Sequence, residues 1–92
     1  MPEVSVILPA YNEGKSIGQA ISQVHDVMKG LSFDYEIVVV DDGSHDGTFS
    51  EALRATQSPE LRGRVKAISY KPNQGKGFAL KKGFENSRGD YI

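Results

Sequence analysis

Apolar positions in this chain alternate between short β-branched runs and longer stretches with a three- and four-residue repeat. Val4-Ser-Val-Ile-Leu8, bounded by Pro2 and Pro9, reads as a buried strand whose ladder ends at Pro9. Ile17, Ala20, Ile21, Val24, Val27, Met28 and Leu31 then fall on one face of a helix, and Gly30 stands where helices commonly stop. Tyr35–Val40 is a more continuous apolar run, as suits a central parallel strand covered on both faces. Phe49, Ala52, Leu53 and Ala55 predict a second helix, ended by Ser58-Pro59. Val65–Tyr70 alternates only weakly, which suits an outer strand. A third helix is predicted over Gly75–Ser87, with Phe78, Ala79, Leu80, Gly83 and Phe84 facing inward, and Arg88–Ile92 begins a fourth strand.

This order implies an α/β fold, a three-layer Rossmann-like sheet with parallel pairing and right-handed crossovers. Ligands of such sheets bind at the carboxyl ends of the strands. That rule brings three polar loops to one edge: PAYNEG (9–14), DDGSHDGT (41–48) and KPNQGKG (71–77).

Each loop has a chemical reading and a plain structural one. In the first, Tyr11 offers a flat face and Asn12 and Glu13 offer hydrogen-bonding groups. An aromatic face beside a carboxylate suits a nucleobase and ribose, yet Asn12 or Glu13 could equally serve the following helix N-terminus. In the second, consecutive strand residues point to opposite faces, so only one of Asp41 and Asp42 can face a given ligand. Such a carboxylate could accept from a base N–H or a ribose hydroxyl. The alternative is turn and capping chemistry, with Asp46 and Thr48 opening the next helix. In the third, exposed amides at a helix start and Lys76 make a diphosphate site, although the spacing is not that of a Walker loop. His25 and His45 are single, and His25 reads as a surface or packing residue.

Composition narrows the picture. With 38% apolar and 25% charged residues the chain has an ordinary globular balance. It has no cysteine, which excludes disulfides and thiolate metal sites. No apolar run approaches the roughly 20 residues of a membrane span, and there is no signal-peptide pattern. Residues 1–53 carry nine acids with only Lys15 and Lys29, whereas 54–88 carry nine bases with only Glu60 and Glu85. A basic surface could attract a phosphate or an anionic membrane face. The bases are nevertheless spread out and lack the interleaved aromatics that stack nucleic-acid bases, so no nucleic-acid partner is expected.

The ordered set VSVILPAYNEG, YEIVVVDDGSHDGT, YKPNQGKGFALKKGF and RGDYI is similar to family 2 glycosyltransferases over the whole chain. The NQGKG variant, followed by Ala-Leu and then Gly-Phe, looks closest to the dolichyl- or polyprenyl-phosphate sugar transferases. The resemblance implies a GT-A fold with sheet order 3-2-1-4. It implies a nucleotide-binding set of Pro9, Ala10, Tyr11, Glu13, Asp41, Asp42, Gly43, Ser44, Gly75 and Lys76. Of these, Pro9, Tyr11 and Glu13 would line the nucleoside pocket, and Asp42, with Asp41 as second choice, would hold the base. Gly75 and Lys76 would lie near the ribose or diphosphate.

The family uses a UDP- or GDP-sugar donor and a divalent metal, magnesium or manganese, held by an Asp-x-Asp motif shortly after the segment matching RGDYI. The 1–92 chain is thus expected to be a single, incomplete nucleotide-sugar-binding domain. It would retain neither metal nor catalytic base, would bind nucleotide weakly at most, and would not turn over. A complete form would transfer the sugar with inversion, a polyprenyl phosphate being the candidate acceptor. The expected location is cytoplasmic, or the cytoplasmic face of a membrane for a longer parent. An open edge at Val4–Leu8 predicts a homodimer or higher assembly. The alternative is a non-catalytic nucleotide-binding or assembly module. A phosphoacceptor receiver fits poorly, because receivers place their acidic pair after the first strand.

Overall fold

A computed structural model of the chain describes residues 2–89. The elements run β1 (Val4–Ala10), α1 (Ile17–Met28), β2 (Tyr35–Asp42), α2 (Thr48–Thr56), β3 (Val65–Tyr70) and α3 (Lys76–Glu85). The strands form one parallel sheet ordered β1-β2-β3. This is the 3-2-1 part of the order expected from the resemblance. The expected fourth strand falls largely on 90–92, outside the described residues.

The parity of β2 builds the three layers. Tyr35, Ile37 and Val39 enter one apolar cluster with Ile17 and Ile21 of α1 and Ala52 of α2. Val38 and Val40 enter the other, with Ala79 of α3 and the partly buried Ile7, Ile68 and Tyr70. Both faces of β2 are therefore covered, which is why its Ile37–Val40 stretch is apolar without alternation.

Three local expectations need correction. β1 does not end before Pro9 but runs through it to Ala10, with Pro9 in register with Val40. Among the described residues β1 pairs only with β2, and a proline is tolerated on such a strand because its missing N–H need not break a ladder bond. On α1 the apolar repeat overshoots, since Val27 is exposed and Leu31 lies beyond the helix end, also exposed. On α3 only Ala79 and Gly83 are buried; Leu80 and Phe84 face outward, and the half-exposed Phe78 leans edge-on against Tyr70. The small residues are inside because α3 packs close to β1, where a Cβ on Gly83 would collide with Ile7.

Candidate nucleotide site

The carboxyl ends of the strands carry a cavity of about 410 Å³ lined by Pro9, Ala10, Tyr11, Glu13, Asp42, Asn73, Gly75, Lys76 and Ala79. It is the convergence of the first and third loops with the end of β2. Tyr11 is 43% exposed and lines this cavity. Glu13 folds back, its Oε1 accepting the Tyr11 N–H at 3.1 Å.

Parity separates the two aspartates. Asp41 points with Tyr35, Ile37 and Val39 toward the α1/α2 side, where Oδ1 accepts from the Ser44 N–H (3.1 Å) and Oδ2 from the Ser69 hydroxyl (3.0 Å). Asp42 points toward α3 and the cavity. It is only 4% exposed, and its carboxylate accepts from the Gln74 N–H (2.8 Å), the Gly75 N–H (3.0 Å) and the Asn73 side-chain amide (2.8 Å). Burial by itself would raise the Asp42 pKa, but the Gln74 and Gly75 N–H groups, with the Tyr70 hydroxyl beside it, hold it below the ordinary value. The Tyr70 hydroxyl is near enough to sense that charge, yet it is buried without an aligned hydrogen-bond partner. Its pKa is pushed up by burial first, then by Asp42 and Asp41.

Gly43 and Ser44 do not line the cavity. Gly43 has φ +72°, and a Cβ there would sit 2.8 Å from Asn73 Cα and Pro72 C and closer still to Asn73 N. The second loop is thus pressed directly onto the third, just after the cis Lys71–Pro72 peptide. Ser44 Oγ instead accepts the Asn12 N–H at 2.8 Å, supporting Asn12 in its left-handed conformation (φ 53°). Three more bonds stitch the same two loops. His45 N–H donates to Asn12 Oδ1, Glu13 N–H to Thr48 Oγ1 and Gly14 N–H to Asp46 Oδ2. The second loop is therefore a hub that holds the other two in place. Of the expected set, Asp41, Gly43 and Ser44 serve this scaffold, and the remaining residues meet at the cavity.

Asn73 and Ala79 line the cavity without having been singled out in the sequence. Ala79 lies one helical turn after Lys76, on the same face, which periodicity could have indicated. Asn73 lies in the third polar loop, where residue type alone does not set it apart from its neighbours. Lys76 is the only base lining this cavity among the described residues. Arg62, Arg64, Lys66 and Arg88 surround a different cleft at the opposite end of the sheet, together with Asp34 and Glu36. His25 packs as expected, its Nδ1 against the Tyr35 hydroxyl. Among the described residues no group of three or more His, Asp or Glu side chains could hold a metal ion. The paired aspartates do not fit one, because they face opposite sides of the sheet and are taken up by N–H and O–H donors.

The family model for glycosyl transferase family 2 matches residues 5–92. The chain belongs to that family. It is 36% identical over 89 residues to an undecaprenyl-phosphate 4-deoxy-4-formamido-L-arabinose transferase of Aeromonas hydrophila, a match covering 97% of this chain and 27% of that protein. It is 37% identical to the human dolichyl-phosphate beta-glucosyltransferase, covering 98% and 29%. Among solved structures, a mannosyltransferase from Pyrobaculum calidifontis in complex with GDP-Man and Mn²⁺ superposes with a TM-score of 0.78 at 28% identity, covering 95% and 25%. Glucosyl-3-phosphoglycerate synthase from Mycobacterium tuberculosis, with Mn²⁺, UDP-glucose and phosphoglyceric acid, gives 0.71 at 26% identity, covering 97% and 31%. The fold is thus that of GT-A glycosyltransferases. The chain spans about a quarter of the length of these relatives.

Proposed function

We propose that the cavity binds the nucleoside diphosphate part of a nucleotide sugar, as the donor half of a sugar transferase whose acceptor is a polyprenyl phosphate. The observation that carries this reading is the meeting of Tyr11, Asp42, Gly75 and Lys76 in one cavity at the carboxyl edge of the sheet. Tyr11 supplies a face for the base, and Asp42 supplies a fixed anionic acceptor. The N-terminus of α3, which has no acidic residue in its first turn, supplies Lys76 and a positive dipole end for phosphate.

An ionised carboxylate can only accept hydrogen bonds. It suits uracil or guanine, whose pairing edges present a ring N–H, and disfavours cytosine and adenine, whose corresponding ring nitrogens are acceptors. The divalent metal of the reading would neutralise charge on the diphosphate. The described residues do not fit that metal, so binding and orientation of the nucleotide are the steps assigned to them. The relatives' names support the lipid-phosphate acceptor. No described helix is long and apolar enough to cross a membrane.

Equilibrium dialysis with UDP, GDP, CDP and ADP, with and without manganese, tests the reading. UDP or GDP is expected to bind at least about tenfold more tightly than CDP and ADP, a preference that one well-placed charged hydrogen bond can supply. Equal or absent binding of all four overturns it.

A further inference from the structure

Resting on that reading, we propose that Asn73 is a positioning residue, whose side-chain amide locks the Asp42 carboxylate so that one oxygen is closed off and the other keeps an acceptor position for the nucleobase. The Asn73 Nδ2 donates both to Asp42 Oδ2 (2.8 Å) and to the Asp42 carbonyl oxygen (3.1 Å). With the Gly75 N–H also on it at 3.0 Å, Oδ2 has both lone pairs engaged. Oδ1 accepts one formed bond, from the Gln74 N–H at 2.8 Å. A carboxylate has about four lone-pair sites, so one remains, on Oδ1, and the Tyr70 hydroxyl, buried beside Asp42 without an aligned partner, is the protein donor that competes with a nucleobase for it.

The contact to the carbonyl prevents the amide from swinging away with the carboxylate. The Asn73 backbone is itself pinned, because it lies against Gly43 at a distance that no side chain would allow. Asn73 also lines the cavity, so the lock stands at the edge of the space the base would occupy. Without it, the carboxylate could turn about its terminal bond and exchange its two oxygens, and the acceptor would lose its fixed direction. Asn73 thus acts on the ligand through Asp42.

The other titratable groups around Asp42 are Glu13 and Lys76, which line the same cavity, and Tyr70 beside it on β3. Asp41 precedes it on the other face of the sheet. Direct observation of the Asp42 carboxyl carbon by NMR separates its titration from theirs.

The test uses the wild-type chain with Asn73→Ala and Asn73→Asp, measuring UDP and GDP affinity against pH together with the Asp42 titration. In Asn73→Ala, Asp42 is expected to titrate higher, because a donor to its ionised form is gone. The acid limb of nucleotide binding should move up with it. Asn73→Asp keeps the size but removes the donor, and should move both further. A merely structural role would weaken binding equally at every pH and leave the Asp42 titration in place, and that result overturns the proposal. One measurement needs no variant: in the wild type the Asn73 side-chain amide protons should titrate in step with Asp42. Flat amide shifts overturn the proposal even where the variants do not fold. A wild type that binds no nucleotide overturns the function proposed above, while the amide titration still decides whether Asn73 holds Asp42.

Discussion

At Gly43 the loop after β2 passes so close to the loop after β3 that no side chain fits between them. Its φ of +72° is a second reason for glycine, independent of the first. Gly43→Ala is therefore expected to destabilise the chain by about 2–4 kcal/mol, from backbone strain and the forced separation of the two loops. Urea denaturation measures it, and a change within about 0.5 kcal/mol, the usual range for neutral surface substitutions, would mean that the 72–73 segment yields easily. Asp42 makes a different demand. Asp42→Asn turns one carboxylate oxygen into a donor, facing N–H groups that themselves donate. UDP or GDP affinity should fall at least about tenfold, while CDP, whose ring nitrogen accepts, should lose less. A uniform loss across the three nucleotides would count against a base contact at Asp42.

At the scale of elements, strands and helices were legible because each has its own apolar period, and the DDGS and NQGKG loops were legible as polar punctuation between them. The tasks within those loops were not. Asp41 and Asp42 are chemically identical neighbours, and only the pleat of β2 sends one to the scaffold and the other to the cavity. Ser44 belongs to the expected nucleotide-binding set, and its hydroxyl accepts the Asn12 N–H across 32 residues of sequence. Ser44→Ala should therefore leave a donor unsatisfied and cost about 1–3 kcal/mol of stability, with any loss of nucleotide affinity following from displacement of Tyr11. If instead stability is unchanged and affinity falls, Ser44 touches the ligand directly. The helix faces were misread for a related reason. Periodicity shows that α3 has an apolar side, but the close approach to Ile7 puts Gly83 and Ala79 there and turns Phe84 out.

Across the whole molecule, buried carboxylates tie stability to pH at both ends of the sheet. Glu36 is buried at the amino edge, accepting from the Ser5 hydroxyl and the Arg88 N–H, each at 2.6 Å, and pairing with Lys66 at 3.3 Å. Burial would raise its pKa, but those partners outweigh it and lower the pKa from the ordinary 4.5; Asp42 is likewise lowered from 3.8. A lowered carboxyl contributes stability that is fully present above its unfolded pKa and is lost as pH falls through the folded one. Stability should accordingly hold near neutrality and decline below pH 4.5 in urea melts. Glu36→Gln should lower neutral stability by about 1–3 kcal/mol and make the acid decline shallower, since one of the linked groups is gone. An unchanged slope would assign the linkage elsewhere.

The order of strands and helices, the parallel sheet and the edge that carries the cavity were determined by sequence alone, because apolar periodicity and turn chemistry are local properties. The partner of each polar group was decided only by tertiary structure. Ser5 with Glu36, Ser44 with Asn12 and Asn73 with Asp42 all depend on strand register, and register is set by packing both faces of β2 at once.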